Sequence, residues 1–167
     1  VCNHLQLQKM SLQLGYRETG LEVDLMPAAA YTKEKSAHGR VSVLLGYFLH
    51  KPVMRTVFLP PVYRDELEYL YAGMEVERTF VGTKGDLPAE GESQGKMDTF
   101  VFAQVARISI HRIGSDFEIF ILRLENDTCN SGTEIFQVWL PLTSPFVSAA
   151  THILRMHDYF IGGLLPD

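Results

Sequence analysis

The sequence predicts a mainly β protein, a six- to seven-stranded antiparallel split barrel with a C-terminal amphipathic helix. Three observations predict it. Segments of period-two apolar alternation recur from Leu21 to Leu140. Only the short stretch RDELEYLY (Arg64–Tyr71) between them reads as one or two helical turns. After Ser144 the period changes to that of a helix. At 167 residues the chain is read as one domain, with a variable segment at 1–20, a barrel at 21–141 and a terminal helix at 144–161.

The elements follow in order. Residues 1–20 give only a broken alternation (Leu5, Leu7, Met10, Leu12, Leu14), which fits a short helix or a first strand equally. LEVDLM (Leu21–Met26) alternates as a half-buried strand and ends at Pro27. In VSVLLGYFLHKPVMRTVFLPP (Val41–Pro61) two apolar runs flank a polar break. They predict antiparallel strands over Arg40–Phe48 and Pro52–Leu59, joined across Leu49-His50-Lys51 without an Asn-Gly turn. Met74–Val81 alternates as another strand, and the glycine-rich segment from Gly82 to Lys96 reads as a long loop. Asp98–His111 is expected to be one long strand. Its inward candidates, Phe100, Phe102 and Val105 and then Ile108 and Ile110, do not keep a single alternation, which calls for a bulge near Ala106-Arg107. Asp116–Leu124 is its expected antiparallel partner, Asn126–Gly132 a turn, and Glu134–Leu140 the last strand. Ser144-Pro145 supplies a helix N-cap and a first-turn proline. Phe146, Ala149, Ala150, Ile153, Leu154, His157, Phe160 and Ile161 recur at helical spacing before Gly162-Gly163.

Composition narrows the function classes. Apolar residues make up 46% and charged residues 21%, too apolar for disorder. The formal net charge of −5 argues against a nucleic-acid polymer or an anionic membrane as partner. No apolar run has the ~18 residues of a transmembrane helix. VCNHLQLQKMSLQL lacks the basic start and apolar centre of a secretory signal. The absence of an initial Met suggests a processed or excised segment. Cys2 and Cys129, isolated and far apart, fit a reducing compartment, so a cytoplasmic location is expected.

Candidate chemistry is sparse. No phosphate-binding loop, dinucleotide fingerprint, nucleophile elbow or CxxC occurs, so no catalytic residue and no cofactor is assigned. His152 and His157, five apart, do not share a helix face as metal ligands four apart would. His38, His50 and His111 fall near strand ends with nothing to converge them, so no metal site is assigned. Asp65, Glu66, Glu68, Glu75 and Glu77 read as a solvated face rather than an acid–base pair. Trp139, with Phe136 and Phe120, reads as barrel core or as a platform under the terminal helix. Two features point towards a ligand. Arg107 and Arg112 in RISIHR bracket a strand end where guanidinium forks could clamp an anion. DTCNSG (Asp127–Gly132) gathers polar turn residues.

A resemblance sharpens these expectations. From Leu21 to Ile110 the chain resembles the N-terminal barrel of PilZ-type flagellar brake proteins. The residues that carry it are Gly46-Tyr47 before a polar break, the apolar run into Pro60-Pro61, and Leu70, Gly73, Met74 and Arg78 in LEYLYAGMEVERTFVG. The phenylalanine-led strand in TFVFAQVARIS follows them. In that family a second barrel binds cyclic di-GMP through an RxxxR motif and a [D/N]xSxxG motif. Here Arg107 and Arg112 are one residue too far apart, and DTCNSG carries Cys129 where a Ser is expected. The resemblance implies a non-enzymatic regulatory module linked to cyclic di-GMP signalling or motility, with a protein partner or self-association as a dimer. Its ligand contacts would come from Arg107 and Arg112 on phosphate and Asp127 on a guanine edge, with Ser131 and Gly132 beside them. The alternatives are a flavin- or other small-ligand-binding split-barrel enzyme, its cofactor held near Trp139, and a structural subunit of a larger assembly.

Overall fold

The alternating segment at Leu21–Met26 does become a strand, and its surroundings set the rest of the layout. The computed structural model describes residues 5–31, 38–49, 54–74, 76–128 and 132–165. These contain seven strands in three small sheets and four α-helices. Helix α1 (Leu5–Gln13) precedes β1 (Arg17–Met26), which pairs antiparallel with β2 (Val41–Tyr47). The register of this ribbon slips between Glu22 and Met26, where Asp24 takes a left-handed φ of 50° and its N–H donates to Ser42 Oγ. Strand β3 (Arg55–Phe58), helix α2 (Arg64–Gly73) and β4 (Arg78–Val81) form one β-α-β unit with its strands parallel. Strands β5 (Gln94–Phe100) and β6 (Val105–Arg112) form a hairpin. Helix α3 (Phe117–Thr128) then returns the chain to β7 (Ile135–Trp139), parallel to β6, and α4 (Val147–Met156) follows.

The described strands form no closed barrel, and helices stand between them. The largest departure from the expected layout is α3, which occupies the segment expected as a strand at 116–124. Its buried residues, Phe117, Phe120, Ile121 and Thr128, lie at helical intervals and face the sheet. The expected long strand at 98–111 is two strands with a turn over Val101–Gln104, closed by the Gln104 N–H donating to the Val101 carbonyl and by Gln104 at φ 57°. The chain thus reverses where a bulge was expected, and Phe100 and Phe102, expected to point inward, are exposed. Among the described residues the expected pairing of the two runs in Val41–Pro61 is also absent, because β2 pairs with β1 and β3 with β4. Of the residues expected to join them, His50 and Lys51 lie outside the described residues. Without a two-residue turn signal nothing local fixed that hairpin, and burial of Val57 and Leu59 against α2 draws the second run elsewhere. The terminal helix is shorter than expected. Ser144 Oγ accepts the Phe146 N–H ahead of it, and Asp158, at φ 62°, stops it before Phe160.

Two apolar cores result. In the first, Ile108 and Ile110 of β6 meet Phe117, Phe120 and Ile121 of α3 and Val147, Ala150 and Leu154 of α4. In the second, Val57 and Leu59 meet Leu67 and Tyr71 of α2 and Leu164. Each such aliphatic or aromatic side chain contributes about 1.5–3 kcal/mol on burial. Leu142 packs against both cores, and the Phe58 N–H donates to its carbonyl, so the cores are joined. Among the described residues neither core takes a side chain from β1 or β2. Val43 of β2 is buried outside both, and the ribbon is held as well by polar contacts and by a backbone clamp. The Leu21 N–H donates to the Gly162 carbonyl and the Leu164 N–H to the Thr19 carbonyl, with Gly20 against Gly163 between them.

Candidate functional site

Strand β6 carries both arginines singled out in the sequence and gives them different surroundings. Ile108 and Ile110 face the helices, and Arg107 faces the β1–β2 ribbon. Its Nη2 donates to Glu22 Oε1 on β1 (3.0 Å) and its Nε to Gln137 Oε1 on β7 (3.0 Å), while Gln137 Nε2 donates to the same Glu22 oxygen (3.1 Å). The guanidinium lies 4.3 Å from the ring centre of Trp139 and 5.1 Å from that of Phe100. The ion pair is largely withdrawn from water, with 22% of the Arg107 side chain and 11% of the Glu22 side chain exposed. Next to it the Tyr47 phenol is pushed above its ordinary value, chiefly by burial and then by the Glu22 carboxylate, with Arg107 acting in the opposite sense.

Arg112 sits at the far end of β6. Its Nε donates to the Glu92 carbonyl (2.9 Å), and its two terminal amino groups have no protein partner among the described residues. It lines a cleft of about 400 Å³ together with His111, Thr143, Ser144, Glu90 and Phe146. A second cleft, of about 640 Å³, adjoins it across Pro88, Glu90 and Phe146, and here Lys84 lies over the Phe146 ring. The floor is rigid because the 91–93 segment is stitched to the start of α3. The Ser93 N–H donates to Asp116 Oδ1 (2.6 Å), the Gly114 N–H to Ser93 Oγ (3.0 Å) and the Ser115 N–H to the Gly91 carbonyl. The first of these bonds, more than any other cause, holds the Asp116 carboxyl below the ordinary carboxylate value. No family model, curated protein or solved structure matches the chain.

The structure does not bring Arg107, Arg112 and Asp127 together. Arg107 and Arg112 share no partner, and at strand rise they are roughly 16 Å apart. Asp127 is exposed in the last turn of α3, a helix about 18 Å long whose first turn is the end nearer Arg112. Gly132 follows at φ 73°, exposed, and Cys129, Asn130 and Ser131 lie outside the described residues. Cys2, Glu75 and His50 lie outside them too. The described acidic residues Asp65, Glu66 and Glu77 are exposed, and Glu68 pairs with Arg64. His157 joins Glu118, tying α4 to α3, and no cluster of His, Cys, Asp or Glu among the described residues has the makings of a metal site. No described helix is long and apolar enough to cross a membrane. Trp139 is not the platform under the terminal helix, because it lies on the Arg107 side of the sheet. Glu22 and Gln137 escaped notice in the sequence. Alternation marks them as the polar face of their strands, and it carries no information about which polar faces will meet.

Proposed function

We propose that the chain is a non-enzymatic binding module that takes an anionic ligand in the cleft at Arg112. The observation that carries this reading is the Arg112 side chain, fixed through Nε with its two terminal amino groups unpartnered at the wall of the cleft. A guanidinium anchored this way offers a parallel pair of donors to a phosphate or carboxylate at little further entropic cost. His111, Thr143 and Ser144 add polar groups, while Pro88, Pro141 and Phe146 supply apolar walls for a ring. Glu90 in the same wall opposes ligands of high negative charge.

The resemblance to flagellar brake barrels makes cyclic di-GMP the first ligand to test. It carries with it a cytoplasmic regulatory role in bacterial motility, exerted through a protein partner or a second copy of the chain. In this reading Arg112 contacts phosphate, while Asp127 and Gly132 are left out because α3 carries that end of the motif away. Calorimetric titration tests it. Wild type should bind cyclic di-GMP saturably and Arg112→Ala at least tenfold more weakly, with Arg112→Lys in between and Asp127→Ala unchanged. Wild-type protein giving no saturable heat with high micromolar cyclic di-GMP or millimolar inorganic phosphate would overturn the proposal.

A further inference from the structure

The Arg107 cluster shares no residue with the Arg112 cleft, and its geometry leads beyond the function proposed above. We infer that Arg107, Gln137 and Trp139 form a carboxylate-binding site, which Glu22 fills from within the chain and which an outside carboxylate with an apolar tail takes by displacing the Glu22 side chain.

Three features support a preformed site. The donors are positioned without Glu22, since Arg107 Nε is held by Gln137 Oε1 and the guanidinium is stacked between Trp139 and Phe100. Glu22 satisfies them incompletely. Both of its hydrogen bonds fall on Oε1, and neither Glu22 Oε2 nor Arg107 Nη1 has a partner among the described residues. A free carboxylate, able to turn edge-on to the guanidinium, gains the second bond that the tethered one forgoes. The site also has an apolar margin. Phe100 is 43% exposed and runs into Val101 and Phe102 at 77% and 66%, so an acid with an alkyl tail covers surface that acetate does not. Displacement requires only rotation of the Glu22 side chain, with β1 staying in its ribbon. Because Glu22 is tethered, its local concentration is high, and it holds ordinary small acids off.

Trp139 is the only tryptophan of the chain and lies under Arg107, so its fluorescence reports occupancy directly. Glu22→Ala is titrated with hexanoate, acetate and neutral hexanol against chloride of equal ionic strength. Hexanoate should give a saturable change at least tenfold below the acetate concentration, and hexanol none. Wild type should need at least tenfold more hexanoate, and adding Arg107→Lys to Glu22→Ala should abolish the response. Adding Arg112→Ala should leave it intact, which keeps this result separate from the fate of the Arg112 cleft. Folded Glu22→Ala with no saturable change, an equal response in wild type, or equal responses to hexanol and hexanoate would overturn the inference. If Glu22→Ala does not fold, Glu22→Ser takes its place. If that also fails, wild type at high hexanoate decides, and a response no greater than with chloride counts against the site.

Discussion

Arg40 shows how much one side chain can hold when its donors are all used. Its Nε donates to the Asp24 carbonyl, Nη1 to Gln104 Oε1 and Glu134 Oε2, and Nη2 to the Leu25 and Ala103 carbonyls. A single planar fork thereby pins the β1–β2 ribbon to the β5–β6 turn, where a lysine could satisfy only part of the set. Asp116 works by charge instead. Its folded pKa is depressed, so its stabilising effect is complete above the ordinary carboxylate value of 3.8 and disappears as pH falls through the lower folded value. Urea melts of wild type and Asp116→Ala should therefore differ at neutral pH. The gap should begin to narrow below about pH 4 and close in stronger acid. A gap unchanged between neutral pH and pH 2 would mean that the Asp116–Ser93 bond is not what the carboxylate contributes.

At the scale of the element, α3 is the most instructive. DFEIFILRL alternates well enough at its start to pass for a strand, yet Phe117, Phe120, Ile121 and Leu124 also keep the three- and four-residue spacing of a helix face. Length decides between the two, because twelve residues suit a helix and the sheet needs a crossover to make β7 parallel to β6. The assignment has a sharp mutational signature. A strand would put residues 117, 119 and 121 on one face, whereas the helix leaves Ile119 72% exposed and Ile121 1%. Ile119→Lys should shift the urea midpoint by no more than about 0.5 kcal/mol in stability. Ile121→Ala should cost about 2–5 kcal/mol. Equal, large losses at both positions would return the segment to a strand.

For the whole molecule, the segments that alternate without ambiguity were legible from sequence, and so was the existence of a terminal helix. What was not legible is how they combine. Pairing partners, the two β-α-β units and the meeting of Glu22 with Arg107 all depend on contacts between residues far apart, to which local periodicity is blind. The arginines of RISIHR were singled out as a pair, but their separate surroundings follow from the faces of β6 and from what lies beyond its end. The joined cores predict one cooperative unfolding transition, and the Gly20–Gly163 clamp should move all of it. A Cβ on Gly20 would come within 3.0 Å of the Gly162 oxygen and Gly163 Cα, both backbone atoms that cannot swing aside. Gly20→Ala should thus destabilise by about 2 kcal/mol or more, with circular dichroism and Trp139 fluorescence shifting together. A shift in one probe alone would show that the ribbon melts independently of the cores.

The same clamp orders events in time. Thr19, Gly20 and Leu21 are synthesised before Gly162, Gly163 and Leu164, which emerge after both β-α-β units. Until they do, β1 has β2 beside it and, among the described residues, no backbone partner on its other edge, and the second core lacks Leu164. Closing so large a loop is entropically costly, and it cannot happen before Gly162 is made. A nascent chain stalled before Gly162 would hold the helices in place and leave the first strand open to proteases and to other chains.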